Sequence, residues 1–253
     1  LVQKALLGEI EKITVGINGG DVGGPVAKTE PPAELDWNGW LGQAPQVEYI
    51  TERCHYQFRW WYEYSGGKFT DWGAHHVDIA LWAIGADQQG SGPVEIDGTD
   101  SSHPIPLEDG IPTKDDHYNT AHDFAVFCRV ADGPERIVTS RGDNGVMFEG
   151  TKGRIYVNRG RISGQPIEEN WDDGQFSAED VERLYKGKPY EGHKENFYRC
   201  LREGGLPVSD VYSHLQAMNA CHLAAIAARL GRMVQWDPAK EQILGDKQAA
   251  SIY

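Results

Sequence analysis

Cysteine is scarce. The 253 residues hold four, Cys54, Cys128, Cys200 and Cys221, with no C-x-x-C pair, which argues against a disulfide framework or zinc knuckle and for unpaired or buried thiols. Basic residues are in the minority, 24 Lys and Arg against 38 Asp and Glu, for a formal net charge of −14. Because a polyanion binder draws most of its affinity from clustered Lys and Arg, neither nucleic acid nor an anionic membrane is an expected partner. No apolar run reaches the roughly 20 residues that cross a bilayer. The opening LVQKALLGEIEKITV has neither signal-peptide anatomy nor an initiator Met. There is no internal repeat, and low complexity is confined to GGDVGGPVAKTEPP.

What is present suits a packed domain. Hydrophobic residues make up 40% and aromatics 10%, enough for a sizeable core. Val2–Leu7 reads as the tail of an amphipathic helix closed by Gly8, and Ile10–Ile17 as a strand leading into a Gly/Pro loop. That beginning is expected of a chain belonging to something longer. Leu35–Leu41 suggests one or two helical turns. CHYQFRWWYEYSGG places six aromatic side chains between Tyr56 and Tyr64, either core or ligand wall. Helical spacing runs from Asp71 to Ile84, with Gly85 as the stop. Strand-like runs follow at Val94–Gly98, His117–Val130, Glu135–Ser140, Gly145–Glu149 and Arg154–Val157, with ADG (131–133) and TKG (151–153) as hairpin signals, which predicts one antiparallel meander. Helices return at Ala178–Leu184, His193–Arg202 and Asp210–Leu230. The last has Ser209 or Asp210 as cap, Gly231 as terminator, and a stripe of Val211, Leu215, Met218, His222 and Ala225 expected to pack along a sheet. The sum is an α+β fold in one domain, with a sheet of six or more strands.

At about 100° per residue, Asp71, His75, Asp78 and Trp82 fall within about 60° of one another, while Val77, Ala80, Leu81 and Ile84 gather on a different side. The second group is a core contact and leaves the first free to line a cleft. Asp71 and His75, one turn apart, suit a carboxylate orienting an imidazole, and such a histidine is a fitting general acid/base near neutral pH. The ordinary alternative is that Asp71 caps the helix and His75 is a satisfied, half-buried histidine. Ser65-Gly66-Gly67 and the aromatic run just ahead favour a site.

Arg59, Trp60, Trp61 and Tyr64 suit a sugar-binding wall, with aromatic faces against pyranose rings and guanidinium donors to hydroxyls; a core cluster is the equal alternative. Lys68 reads as a solvated lysine. Arg141 and Asp143 read as turn residues, His193 as a helix opening, and His214 and His222 as packing residues. His75, His76 and Asp78 invite a metal reading, but adjacent histidines point about 100° apart on a helix, unlike the i, i+4 pair of H-E-x-x-H, so no metal is expected.

The segment GGKFTDWGAHHVDIALWAIG (66–85) closely resembles the motif of the Gfo/Idh/MocA oxidoreductases, a glycine pair followed by D-x-x-x-H-x-x-D on a helix. LVQKALLGEIEKITVG resembles the family's passage from the last helix of its nucleotide domain into the first strand of the second, and DWNGWLGQAP, FRWWYEYSGG, GVMFEGTKGRIYVNRG and HLAAIAARLGRMVQWDP are similar to its bacterial branch with an extended C-terminal domain. The resemblance implies an open, largely antiparallel sheet with helices packed on one face. It makes residues 1–8 the tail of a preceding nucleotide-domain helix and 9–253 the substrate-binding and oligomerisation domain. It also implies NAD or NADP as cofactor, a sugar or polyol as substrate, and a homo-oligomer through the sheet face. The catalytic pair by position is His75, for proton transfer, and Asp71, with Arg59, Trp60, Tyr64, His76 and Asp78 around the substrate. Two family features are missing: no G-x-G-x-x-G joins a strand to a helix, since GGDVGG has other spacing and runs into Pro25, and no E-K-P occurs. The Rossmann domain is therefore absent, and the chain alone is expected neither to hold a dinucleotide tightly nor to turn over. A non-catalytic carbohydrate-binding or oligomerisation module, an NAD-dependent glycosidase working through a keto-sugar, and a metal-dependent hydrolase are the competing readings.

Overall fold

Buried Ile13 and Val15 alternate with half-buried Lys12 and Thr14 in the first strand, so its side chains divide between a covered and an open face. That division extends across the whole sheet. A computed structural model describes residues 1–131, 133–165, 167, 177–185 and 187–253. In chain order its main strands are β1 (Ile10–Gly16), β2 (Pro93–Ser102), β5 (Asp123–Val130), β6 (Glu135–Thr139), β7 (Gly145–Gly150), β8 (Gly153–Val157), β9 (Ile162–Gln165), β10 (Met233–Asp237) and β11 (Gln242–Leu244). They form one open sheet in the order β11-β10-β2-β5-β6-β1-β7-β8-β9. A separate ribbon pairs β3 (Leu107–Glu108) with β4 (Ile111–Pro112). The helices are α1 (Trp37–Leu41), α2 (Gly73–Ala83), α3 (Ala178–Leu184), α4 (His193–Glu203), α5 (Val211–Leu230) and α6 (Lys247–Ile252).

The fold is α+β with a largely antiparallel sheet, as expected, but the strands are not one meander. β1 inserts between β6 and β7, parallel to β6 and antiparallel to β7. A hydrophobic alternation reports that a segment is a strand but not which neighbour it takes. The expected strand at His117–Val130 begins only at Asp123. Before it the backbone turns to the loops, with Tyr118 N–H donating to Gly23 O at 3.0 Å and Asn119 N–H to Trp60 O at 2.9 Å. TKG closes the β7–β8 hairpin, with Gly150 opposite Gly153. In ADG, Asp132 lies outside the described residues. Val2–Leu7 is not a helix but a run of turns, with Ala5 at φ 54° and Gly8 at φ 73°.

One face of the sheet carries the core. Ile96, Phe124, Val126, Val138, Val146, Phe148 and Ile155 meet Val77, Ala80 and Leu81 of α2 and the inner side of α5 in a single cluster. Cys128 and Cys221 are buried in it, and none of the four cysteines is paired. Opposite, Phe127, Ile162 and Met233 remain 40–49% exposed.

The long helix is capped as expected, Asp210 accepting from Tyr212 N–H at 2.8 Å and Ser213 N–H at 3.0 Å, with Gly231 left-handed at φ 61°. Its packing stripe is different. Val211 and Leu215 are 71% and 44% exposed, whereas Ala217, Ala220, Cys221, Ala224, Ala227 and Ala228 are buried. The sheet selects small residues because the helix backbone lies directly on it: a Cβ at Gly98 would sit 2.1 Å from the carbonyl carbon of Ala227. Replacing Gly98 by Ala should therefore lower stability by about 1–3 kcal/mol. Chemical denaturation of the two proteins measures this, and an unchanged midpoint would mean that α5 is not seated on β2 in this way.

Candidate functional site

The site is framed by the aromatic run, which Arg53 organises. This guanidinium, 1% exposed, donates to Glu63 Oε1 at 2.9 Å, Tyr64 OH at 3.2 Å and the Asp115 carbonyl at 2.9 Å, and lies 4.1 Å over the Trp61 ring. All of it is structural. A 3₁₀ helix at His55–Trp60 then splits the aromatics between two roles: Trp60 and Trp61 are core, at 1% and 0% exposed, while Tyr56 is 67% exposed. Trp60 thus offers no open face, and its indole N–H donates to Gln57 Oε1 at 2.8 Å. Arg59 stacks on Tyr56 at 3.5 Å and reaches toward Asp71 at 3.7 Å.

Asp71 is delivered by a tight turn, not by the helix. Gly67, at φ 64°, lets the chain pass against Thr120, whose hydroxyl would lie 2.7 Å from any Cβ there. Thr70 Oγ1 accepts from Gly66 N–H at 2.9 Å, and Asp71 N–H donates to Gly67 O at 3.1 Å. The helix starts only at Gly73, with Trp72 at its cap and no side-chain cap bond. Two expectations change: Asp71 is not on α2, and it does not cap α2. Its carboxylate is shared by Lys68, at 3.4 Å, and Arg59. Lys68 is only 12% exposed, so the solvated lysine expected there is part of the site.

The three polar residues of α2 point to three surroundings. His75 is exposed, with its ring edge-on to Trp72 at 5.7 Å, and among the described residues neither hydrogen bond nor ion pair joins it to Asp71. His76 is buried, its Nε2 2.9 Å from Asn144 Oδ1 and its Nδ1 without a partner. Burial holds its pKa below that of a free imidazole despite the Asn144 bond. Asp78 faces α5, 3.8 Å from His214 Nδ1, and burial pushes its carboxyl up more than His214 pulls it down. Asp71 and Arg59 therefore meet at the entry to α2 and His75 stands exposed on its first turn, while His76 and Asp78 anchor its flanks. Asn144 and Arg159, whose guanidinium sits 5.1 Å over Trp72, were missed from the sequence. Asn144 comes from the β6–β7 connection and Arg159 from the β8–β9 hairpin turn, and no local spacing connects either to α2.

Elsewhere, Tyr64 lines a separate cavity of about 220 Å³ with Tyr62, Ser65, His222 and Arg229. Arg141 pairs with Asp100 and Asp123, and His193 opens α4 exposed to solvent. Among the described residues no three His, Cys, Asp or Glu side chains group as metal ligands, and no helix is long and apolar enough to cross a membrane.

The model of an oxidoreductase family's C-terminal alpha/beta domain matches residues 21–253. The chain belongs to the Gfo/Idh/MocA family. Its fold resembles that of the WlbA dehydrogenase from Bordetella pertussis, solved with NADH and UDP-GlcNAcA, at a TM-score of 0.51 and 16% identity over 92% of this chain and 56% of that one. A putative oxidoreductase from Thermotoga maritima aligns at a TM-score of 0.50 and 17% identity over 93% of this chain and 57% of its own. Among curated proteins none matches in sequence. The Gfo/Idh/MocA chain thus spans little more than half the length of these two structures.

Two sequestered imidazoles, His76 on α2 and His103 beside Tyr62, make the stability of the fold pH-dependent. Tyr62 OH accepts from Ala121 N–H at 3.2 Å and shares a hydrogen bond with His103 Nε2 at 2.8 Å; burial and then His122 and Arg229 lower the His103 pKa from 6.5 to about 4. With folded pKa values of His76 and His103 below the unfolded 6.5, the unfolded chain binds more protons in that range. Stability is full above about pH 6.5 and falls toward pH 4. His103→Gln should flatten this slope, as denaturant titrations at several pH values will show; an unaltered slope would exclude His103 as a source.

Proposed function

We propose that this chain is the substrate-binding half of an NAD(P)-dependent oxidoreductase acting on a CH–OH group of a sugar, polyol or glycoside. The observation that carries the reading is the Asp71–Arg59–Lys68 cluster at the turn leading into α2, with His75 open to solvent on the first turn of that helix. Family membership and the sugar nucleotide and NADH held by the B. pertussis dehydrogenase support it.

In this reading His75 removes the hydroxyl proton as the carbon is oxidised and returns one in the reverse direction. Its exposure leaves room for a substrate to approach. Asp71, fixed by the 67–72 turn, accepts a hydrogen bond from a neighbouring hydroxyl and orients the ring, while Tyr56 and Arg59 form the wall. His76 holds the start of α2 to the 141–145 turn through Asn144. A nicotinamide ring, when bound, supplies the hydride acceptor. This chain does not itself fit the dinucleotide: β1 runs into a loop, and no helix begins before Trp37. A nucleotide domain preceding residue 9 would hold it, and the isolated chain would be inactive. The open sheet face, with Phe127 and Met233 exposed, would receive a second copy of the chain.

In the intact protein, His75→Gln should reduce kcat by at least about 100-fold while leaving substrate affinity within a few-fold. Steady-state kinetics and equilibrium binding separate the two quantities. Turnover that survives the substitution would refute His75 as the acid/base, and absence of any NAD(P)-linked turnover in the wild-type protein would favour a non-catalytic carbohydrate-binding module.

A further inference from the structure

Two arginines in the aromatic run have opposite fates. Arg53 has its two terminal nitrogens bonded to Glu63, Tyr64 and the Asp115 carbonyl, with only Nε left over. Arg59, six residues later, donates no hydrogen bond among the described residues. Its buried Nε has no partner, and its nearest carboxylate oxygen, on Asp71, is 3.7 Å away. Stacking on Tyr56 at 3.5 Å, with Trp60 at 4.7 Å, fixes the guanidinium plane and leaves its edge N–H groups as a fork without an acceptor.

Lys68 adds a second cation. Its ammonium is 12% exposed, 3.4 Å from the same Asp71 oxygen and 5.4 Å from the Trp60 ring. Two half-sequestered positive charges therefore share one carboxylate, in a chain whose formal charge is −14. Removing cations from water without full compensation is costly, so the cluster lacks one negative charge.

We infer that Arg59 and Lys68 are specificity residues for an anionic substituent, a carboxylate or a phosphate, carried by the sugar. The inference rests on the sugar reading of the site and narrows it. A planar fork held on an aromatic face suits two oxygens of such a group, and Lys68 contributes a point charge beside it. A neutral sugar meets the same wall but leaves the excess charge unanswered.

The test is calorimetric titration of the intact protein with glucuronate, glucose 6-phosphate, glucose and inorganic phosphate, repeated in Arg59→Met and Lys68→Met. The acidic sugars should bind at least about tenfold more tightly than glucose, with a preference that shrinks as salt rises. Comparison of the two acids tells a carboxylate from a phosphate site. Each substitution should remove most of the preference, weakening the acidic sugars at least about tenfold more than glucose, with an unchanged circular dichroism spectrum and denaturation midpoint as the check that the variant is folded. If Arg59→Met fails to fold, Lys68→Met carries the result. Glucose binding as tightly as the acids, or a preference that survives both substitutions, overturns the inference and leaves the sugar reading intact. Inorganic phosphate binding as tightly as glucose 6-phosphate also overturns it. If no sugar binds at all, the sugar reading falls with it.

Discussion

Ala217, Ala220, Ala224 and Ala227 let α5 lie with its backbone against Gly98 of β2, and the position of every functional group follows from that approach. Gly73, at the start of α2, comes within 3.2 Å of Cys221 Sγ as measured from an ideal Cβ, and Gly66 comes within 3.0 Å of the Ala225 methyl. With α5 seated low, α2 packs beside it, the Gly66–Thr70 turn closes over Thr120, and Asp71 is pushed to the surface ahead of the helix. A larger side chain anywhere along this seam would raise α5 and move the turn with it.

Charge is distributed unevenly for a physical reason. Arg53 is spent on structure: its terminal nitrogens are bonded to a carboxylate, a phenol and a carbonyl, which offsets much of the cost of burying the guanidinium. Arg59 lies at the rim, where aromatic stacking replaces part of its solvation without using its donors. The same run of residues thus builds a rigid frame from one arginine and leaves the other available. His76 shows the same division on α2: it turns inward to Asn144 while His75 stays open.

Much was legible in the chain. The alternating strands, the Asp210 cap, the Gly231 stop and the apolar face of α2 are local patterns, and each is present in the fold. So was the motif at 66–85, with its glycine pair ahead of the aspartate and histidine. The errors share a cause. The stripe chosen for α5 favoured large apolar side chains, whereas contact with a glycine on the sheet rewards small ones. Lys68 looked solvated because nothing local shows that a turn folds it against Asp71.

By itself, the sequence determined the central strands, the helices α2 to α5, the acidic balance of the chain, and the motif that sets Asp71 four residues before His75. These depend on short-range periodicity, composition and spacing. Only the tertiary structure decided that β1 lies between β6 and β7, that Asp71 belongs to a turn, that Asn144 and Arg159 reach α2 from two different strand connections, and that two cations share one carboxylate. Each of those joins residues distant along the chain, and such pairings are set by how layers pack and not by the local order of side chains.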